Sequence, residues 1–281
     1  MVSIAAREMT KTQLIARARE ISSEAGVLDG LHAYFDMSFS RLYRTCELFD
    51  LFDLTLGDVL EIGPFYGYLP FFLRPNATSY TVLEGNDPAA YPLQPLYQRH
   101  DIQMRFIDFF DLFGPVAGTS HALPIPDAQY DTILCWETME HFNFNPVKFV
   151  RELHRVLKPG GKVYITVPNK ASFPALVALL FGRGEQRLID SCYTYENYES
   201  NGKKCFYGFH WREYSHVEMA RLFALAGFKI NACGTFTAFQ GHANLSFGRH
   251  LLRALSRSLA RVLPRYGTNV YLVAEKPLSA P

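Results

Sequence analysis

Glu61 and Glu84 are carboxylates that each close an apolar run and each lie next to a glycine turn. The first run, Asp58 to Leu73, reads DVLEIGPFYGYLPFFL, a strand ending in Glu61-Ile62-Gly63 and then a tight turn closed by Gly67. Glycines let the backbone approach a ligand closely and adopt positive φ, so such a turn opens the strand end to a ligand's polar edge. Roughly twenty residues on, the spacing at which a nucleoside-binding fold places its second acid, the β-rich run of SYTVLEGND ends in Glu84, followed by Gly85 and Asn86. A carboxylate is acceptor-only and can take both hydroxyls of a ribose at once. Two further β-rich runs follow: QMRFID ends at Asp108, and YDTILCW ends at Trp136-Glu137. Four successive strand ends therefore carry polar or aromatic groups at the edge where an open parallel sheet gathers its ligand.

Elements that could hold these residues are legible around them. NPVKFVRELHRVLKPGG carries Val147, Val150, Leu153, Val156 and Leu157 at helical spacing, and Pro159-Gly160-Gly161 stops that helix and leads into the strand KVYITVPN. Residues 1–56 read as an N-terminal helical extension, TKTQLIARAREISSEAG and SFSRLYRTCELFDLF, with Tyr34, Phe35 and Tyr43 placed either for packing or to shape a substrate mouth. The core spans 57–169 and resumes over 215–281 with SHVEMARLFALAGF, KINACGTFT and NVYLVAEKP. Between them, 170–214 reads as an insertion whose second half, YTYENYESNGKKCFYGFHWREY, is crowded with aromatics. Tyr and Trp give broad contact area with a hydrogen-bonding tip, which suits a substrate cap, although such residues also build an insertion's own small core.

The chain has 281 residues and a formal net charge of +1, so overall charge gives no reason to expect nucleic acid as a partner. Its five cysteines are odd in number, widely spaced and free of any C-x-x-C pair, which argues against a disulfide framework or a zinc site and for a reducing cytoplasm. No metal is expected. The opening MVSIAAREMTKTQLIARARE contains Glu8 and Glu20 and no apolar stretch of signal-peptide length, so it reads as a mature start. No apolar run approaches the roughly 20 residues needed to span a bilayer.

LEIGPFYG, the acid Glu84, LPIPDAQYDTILCWETMEHF and ELHRVLKPGGKVYITVPN, in that order, resemble the class I S-adenosylmethionine-dependent methyltransferases, in particular the small-molecule branch of types 11 and 12. The resemblance covers about Val59 to Phe236. It implies an α/β fold with a doubly wound, seven-stranded, mostly parallel Rossmann-like sheet whose last strand is antiparallel. It also implies S-adenosylmethionine as cofactor. Glu61 and Gly63 would meet its methionine end with backbone from Pro64, Phe65, Gly67 and Tyr68. Glu84 would hold the ribose, Gly85 and Asn86 would border the adenine, and Trp136 and Glu137 would close the fourth strand end. The adenine-contacting acid has two placements: Asp108, followed by Phe109, matches by strand end, whereas residues near Ser120 to Ala122 match by distance from LPIP. One departure is clear, since Phe65 stands where the family loop has its middle glycine.

Methyl transfer from a sulfonium is an in-line displacement, so the protein's main task is to position the nucleophile. An oxygen nucleophile also benefits from a base, and His is suited to that near neutral pH. His141, in ETMEHF, and His210, in the cap, are the two candidates; either could instead orient a loop or bind substrate. Glu140, Tyr193, Tyr207, Trp211, Arg212 and Tyr214 are the candidate substrate contacts, and the expected acceptor is a small molecule or a glycan-type, lipid-linked one. GFHWREY resembles a segment of bacterial methyltransferases acting on glycan and lipid-linked substrates. Two other readings remain open: a nicotinamide-dependent oxidoreductase, disfavoured because the first loop lacks Gly-x-Gly-x-x-Gly, and a non-catalytic binding protein on the same fold. Finally, Arg249, Arg253, Arg257, Arg261 and Arg265 recur at fourfold spacing opposite Leu251, Leu252, Leu255, Leu259, Val262 and Leu263. Such a helix either meets an anionic membrane surface or packs on the core with its arginines in water.

Overall fold

In the computed structural model of the chain, residues 11–24, 29–50, 54–64, 68–85, 93–113, 122–183, 199–200, 203–204, 210–239 and 247–278 are described. Phe65, Gly67, Asn86, Tyr193 and Tyr207 lie outside the described residues, as do the side chains of Tyr34 and Phe35.

The sheet forms because its strands are short apolar runs that can be buried on both faces. β1 (Gly57–Ile62), β2 (Ala77–Glu84), β3 (Gln103–Phe106), β4 (Tyr130–Trp136) and β5 (Leu157–Pro168) run parallel, while β9 (Asn269–Glu275) enters antiparallel between β5 and β8 (Lys229–Phe236). The order is β3-β2-β1-β4-β5-β9-β8, the seven-stranded topology expected from the resemblance. A separate two-stranded hairpin pairs β6 (Glu199–Ser200) with β7 (Lys203–Lys204). Register places Ile62 level with Leu83 and Cys135, Cys135 with Ile165, Ile165 with Leu272, and Leu272 with Cys233. The residues just after that row therefore line one edge of the sheet.

Each face is sealed by its own apolar layer. Leu60, Ile62, Ile133, Cys135, Val163 and Ile165 pack under α6 (Pro146–Val156), α8 (His216–Leu225) and the short α5 (Phe109–Phe113). Val59, Val82, Leu134, Trp136 and Tyr164 pack on the other face with Phe39, Cys46 and Phe49 of α2 (Asp29–Phe49), Ile21 of α1 (Lys11–Glu24) and residues of α3 (Leu69–Leu73) and α4 (Gln94–Arg99). Full burial of side chains of this size contributes about 1.5–3 kcal/mol each, so the strand alternation decides which face every acid must occupy.

Local signals set the helix ends. Asn145 caps α6 by accepting the Val147 N–H at 3.0 Å, with Pro146 at the first helical position. Ser215 and Glu218 form a reciprocal capping box at the start of α8. The chain leaves β5 at Asn169 and returns at Tyr214, where the two residues form a parallel bridge and the Lys170 N–H reaches the Tyr214 carbonyl at 3.2 Å. Within that excursion, α7 (Phe173–Leu180) leaves Leu179, Leu180 and, just beyond it, Phe181 exposed.

The arginine-rich helix forms as α9 (Phe247–Val262), but its packing side is not the leucine face. Ser256 is buried and Leu252 half-buried, whereas Phe247, Leu251, Leu255 and Val262 are exposed. Arg253, half-buried, and Arg257, exposed, lie over the Phe239 ring at 5.0 and 5.4 Å.

Candidate functional site

The residues after the aligned row, at the carboxyl ends of β1, β2, β4 and β5, form a polar rim over an apolar sheet. Gly63 follows β1 with φ +61°, and a Cβ added there would stand 2.5 Å from Cγ2 of Thr138. Only glycine meets both demands, a left-handed backbone and direct contact with the β4 exit. Thr138 closes this joint. Its hydroxyl lies 3.3 Å from the Ile62 carbonyl, 3.2 Å from that of Gly63 and 3.0 Å from that of Trp136, and donates its one proton among them.

Glu61 and Glu84 share the α2 face of the sheet because β1 and β2 alternate in step. Both are buried, at 4% and 3% exposure. The Tyr80 hydroxyl donates to Oε2 of Glu61 at 2.5 Å, and burial pushes the Glu61 carboxyl up to about 8, with the charge of Glu84 adding to the rise and the Tyr80 bond opposing it. Glu84 Oε1 accepts the Gly85 N–H at 2.8 Å. That bond ties the carboxylate to the backbone just past the strand end. Asp108 follows β3, half-buried, and Phe109 is committed to the core with its ring 5.6 Å from Phe142 and 6.1 Å from Phe149. Tyr68 and Trp136 are likewise core side chains, Trp136 packed 6.1 Å from Phe49.

Glu137 has φ +50°, a conformation that costs a non-glycine residue about 1–3 kcal/mol. Distant segments hold it there. Arg41 of α2 donates to Oε2 at 3.1 Å, and the Asn269 amide at the start of β9 lies 3.2 Å from both carboxylate oxygens. Its own N–H donates to the Thr166 carbonyl at 2.8 Å. Arg41, Thr138 and Asn269 escaped sequence reading; the lone Asn opening the apolar run NVYLVAE was the one available hint, and Arg41 offered none.

Beyond Glu137 the chain turns through a short 3-10 segment, Met139–His141, that buries Glu140 to 1% exposure. Its carboxyl is pushed well up by burial and by the charge of Glu137, with a backbone bond and Arg41 opposing and Glu213 adding. Oε2 of Glu140 has no hydrogen-bond partner among the described residues, a deficit worth about 1–3 kcal/mol. The Glu140 carbonyl accepts the N–H groups of Trp211 and Arg212 at 2.7 and 3.3 Å, which anchors the chain just before Tyr214 against the β4 exit. His141 and His210 are thereby brought edge to face with ring centroids 5.0 Å apart. Burial pushes the Tyr214 phenol up to about 12, against the pull of the nearby Arg212. The structure thus gathers Glu137, Glu140, His141, His210, Trp211, Arg212 and Tyr214 into one wall.

A cavity of about 410 Å³ opens at the same edge, lined by Tyr43, Arg44 and Glu47 of α2, Thr237, Ala238 and Phe239 after β8, and Arg257 of α9. It is joined to the rim: Ala238 exchanges bonds through its N–H and carbonyl with the Thr268 hydroxyl at 3.0 and 2.8 Å, and the next residue, Asn269, binds Glu137.

Known proteins resemble this chain in sequence and in fold. A family described as "Methyltransferase domain" matches residues 39–232. A Mycolicibacterium smegmatis protein named a probable S-adenosylmethionine-dependent methyltransferase is 26% identical over 184 residues, 66% of this chain and 56% of that protein, so the chain spans a little over half the length of this relative. A chain of the complex between the Haloferax volcanii Trm112 methyltransferase activator and a methyltransferase superposes with a TM-score of 0.56 at 17% identity, covering 92% of this chain and 98% of that one. A Bacillus halodurans structure carrying a methyltransferase designation gives 0.53 at 15%, covering 84% and 99%. At such identities the structural likeness speaks for the fold, and the match over 39–232 speaks for the family: this chain belongs to the methyltransferase-domain family.

Proposed function

We propose that this chain is an S-adenosylmethionine-dependent methyltransferase whose acceptor is a small molecule or a glycan-type, lipid-linked one, methylated at oxygen. The observation that carries the reading is the pairing of the buried acids Glu61 and Glu84 on one face of adjacent strand ends, flanking the Gly63 turn. The donor set fits the cofactor: Glu84 would take the ribose hydroxyls, the Gly63 turn with Pro64 and the backbone of Tyr68 would border the methionine end, and Asp108 with Gly85 would border the adenine. When bound, S-adenosylmethionine supplies a sulfonium-borne methyl group open to in-line attack by an oxygen.

The chain's own residues then have separable tasks. Glu61 stays beneath the turn, its carboxyl tied to Tyr80, and supports the loop. Glu137, locked by Arg41 and Asn269, fixes the direction of the β4 exit. His141 and His210 would take a proton from an acceptor hydroxyl, while Trp211, Arg212 and Tyr214 would hold the acceptor. The guanidinium groups and the buried Thr237 hydroxyl around the 410 Å³ cavity suit an acceptor with anionic or hydroxyl groups. We read 1–56 as a helical extension, 57–169 with 215–281 as the cofactor-binding core, and 170–214 as the cap. The free thiols of Cys46, Cys135 and Cys233 support a reducing cytoplasm. No helix among the described residues is long and apolar enough to cross a membrane. The exposed stripe of Phe247, Leu251, Leu255 and Val262, bordered by arginines, supports peripheral contact with an anionic bilayer instead.

The test is Glu84→Ala. Loss of the ribose bonds, each about 1.5–3 kcal/mol for a charged acceptor, should weaken S-adenosylmethionine binding by at least tenfold in calorimetry while the protein stays folded. Unchanged affinity would overturn the reading, and a heat-stability shift with NAD but not S-adenosylmethionine would replace it with nicotinamide chemistry.

A further inference from the structure

We propose that Glu140, His141 and His210 form a binding site for a divalent first-row transition-metal ion, held by one carboxylate oxygen and two imidazole nitrogens with further positions left open. One ligand atom from each residue lies within 4.8 Å of the others, and Nε2 of His141 is 3.9 Å from Oε1 of Glu140. Ligand atoms around a zinc-sized ion at about 2.0–2.1 Å stand roughly 3.4 Å apart in a tetrahedron, so closing the site takes side-chain adjustments on the order of 1 Å. His210 can make them, because it is exposed while its neighbours Trp211 and Arg212 are tied to the Glu140 carbonyl.

Two independent features point to a cation rather than a chance cluster. Glu140 is 1% exposed, its Oε1 is the oxygen that lies 3.9 Å from His141, and its Oε2 is without a hydrogen-bond partner among the described residues, so a cation held on one or both oxygens would offset the burial of this carboxyl. His210 also has the outer partner typical of a ligand: its Nδ1 lies 3.2 Å from Oε1 of Glu213, which commits that nitrogen to the carboxylate, so Nε2 is the nitrogen that would bind the ion. Two imidazoles and one carboxylate select zinc, cobalt, nickel, manganese or iron over magnesium or calcium, which prefer all-oxygen sites. The cysteine spacing that argues against a zinc site is irrelevant to this set, which draws on no thiol.

The link to chemistry rests on the methyl-transfer reading. An acceptor hydroxyl occupying an open position would lose its proton more easily, and the two imidazoles would then act as ligands instead of bases.

Metal binding is tested on the full chain, stripped with chelator and then titrated with Co²⁺, Zn²⁺ and, for contrast, Mg²⁺. We expect one Co²⁺ per chain with visible absorption from nitrogen and oxygen ligation, competition by Zn²⁺, no response to Mg²⁺, and a rise in Tm of roughly 5 °C at a hundredfold excess of Zn²⁺ over its Kd. His210→Ala, at an exposed position, should weaken binding at least tenfold without loss of fold, His141→Ala likewise, and Glu213→Gln by about tenfold. Absence of stoichiometric Co²⁺ or Zn²⁺ binding, or binding indifferent to both histidine variants, would overturn the proposal. Titrating S-adenosylmethionine in the presence of chelator reports on the cofactor alone, so the two readings fail separately.

Discussion

Replacing Gly63 by Ala tests how the turn after β1 is built. The structure sets two costs. A non-glycine residue held at φ +61° loses about 1–2 kcal/mol. The new Cβ, 2.5 Å from Cγ2 of Thr138, adds an overlap on the scale of core overpacking, about 1–3 kcal/mol. Gly63→Ala should therefore destabilise by about 2–5 kcal/mol, lowering Tm by roughly 5–15 °C for a chain of this size. Thr138→Ser removes the clashing methyl and keeps the hydroxyl that reaches the carbonyls of Ile62, Gly63 and Trp136. By itself it should cost about 1 kcal/mol, one buried methyl. If the two residues act independently, the double variant loses about 3–6 kcal/mol; if the contact is as described, only the backbone cost and part of the methyl remain, about 1–3 kcal/mol. Denaturant unfolding with constant m-values measures this coupling, which should be at least 1 kcal/mol. S-adenosylmethionine titration should follow in parallel, with affinity lost in Gly63→Ala and partly recovered in the double variant. Strict additivity, or a Gly63→Ala protein as stable as its parent, would refute the reasoning.

Other perturbations read different parts of the molecule. Glu61 keeps its proton in the folded chain up to about pH 8 but loses it near 4.5 when unfolded. Between those values stability should fall as pH rises, by about 1.4 kcal/mol per pH unit from this group, and the loss is complete above about pH 8. Glu61→Gln, which still accepts from Tyr80, should flatten that decline; parallel stability profiles for the two proteins would contradict it. On vesicles, Leu251→Ser with Leu255→Ser should reduce sedimentation with anionic lipid by roughly tenfold, since half-exposed leucines supply the apolar part of an interfacial helix. Binding that is unchanged, or equal on neutral vesicles, would mean that α9 faces water.

Much of the frame was readable because it depends on local periodicity and on glycine. The strand ends at Glu61, Glu84 and Trp136 emerge where apolar runs meet turn residues, and α6 was visible in its spacing and its Pro159-Gly160-Gly161 stop, although the strand that follows begins earlier, at Leu157. The third strand is shorter than QMRFID suggested, ending at Phe106, so that Asp108 belongs to the turn leading into α5. For α9 the helical moment was plain, yet the side that packs could not be read from it. Arginine stems and guanidinium groups cover Phe239, and the leucine stripe expected to pack lies in part outside.

What the sequence by itself determined is the order of elements and the identity of the acids at their ends, because strand alternation, helix spacing and positive-φ glycines are properties of neighbouring residues. Only the tertiary structure decided what those ends meet. Arg41 and Asn269 close on Glu137, and the Trp211 and Arg212 N–H groups bond the Glu140 carbonyl, which sets His210 beside His141. These contacts join segments far apart in the chain, and nothing local favours them. They arise because burying both faces of one sheet brings its carboxyl edge, α2 and the segment from His210 to Tyr214 into the same space, where most buried polar groups find a partner.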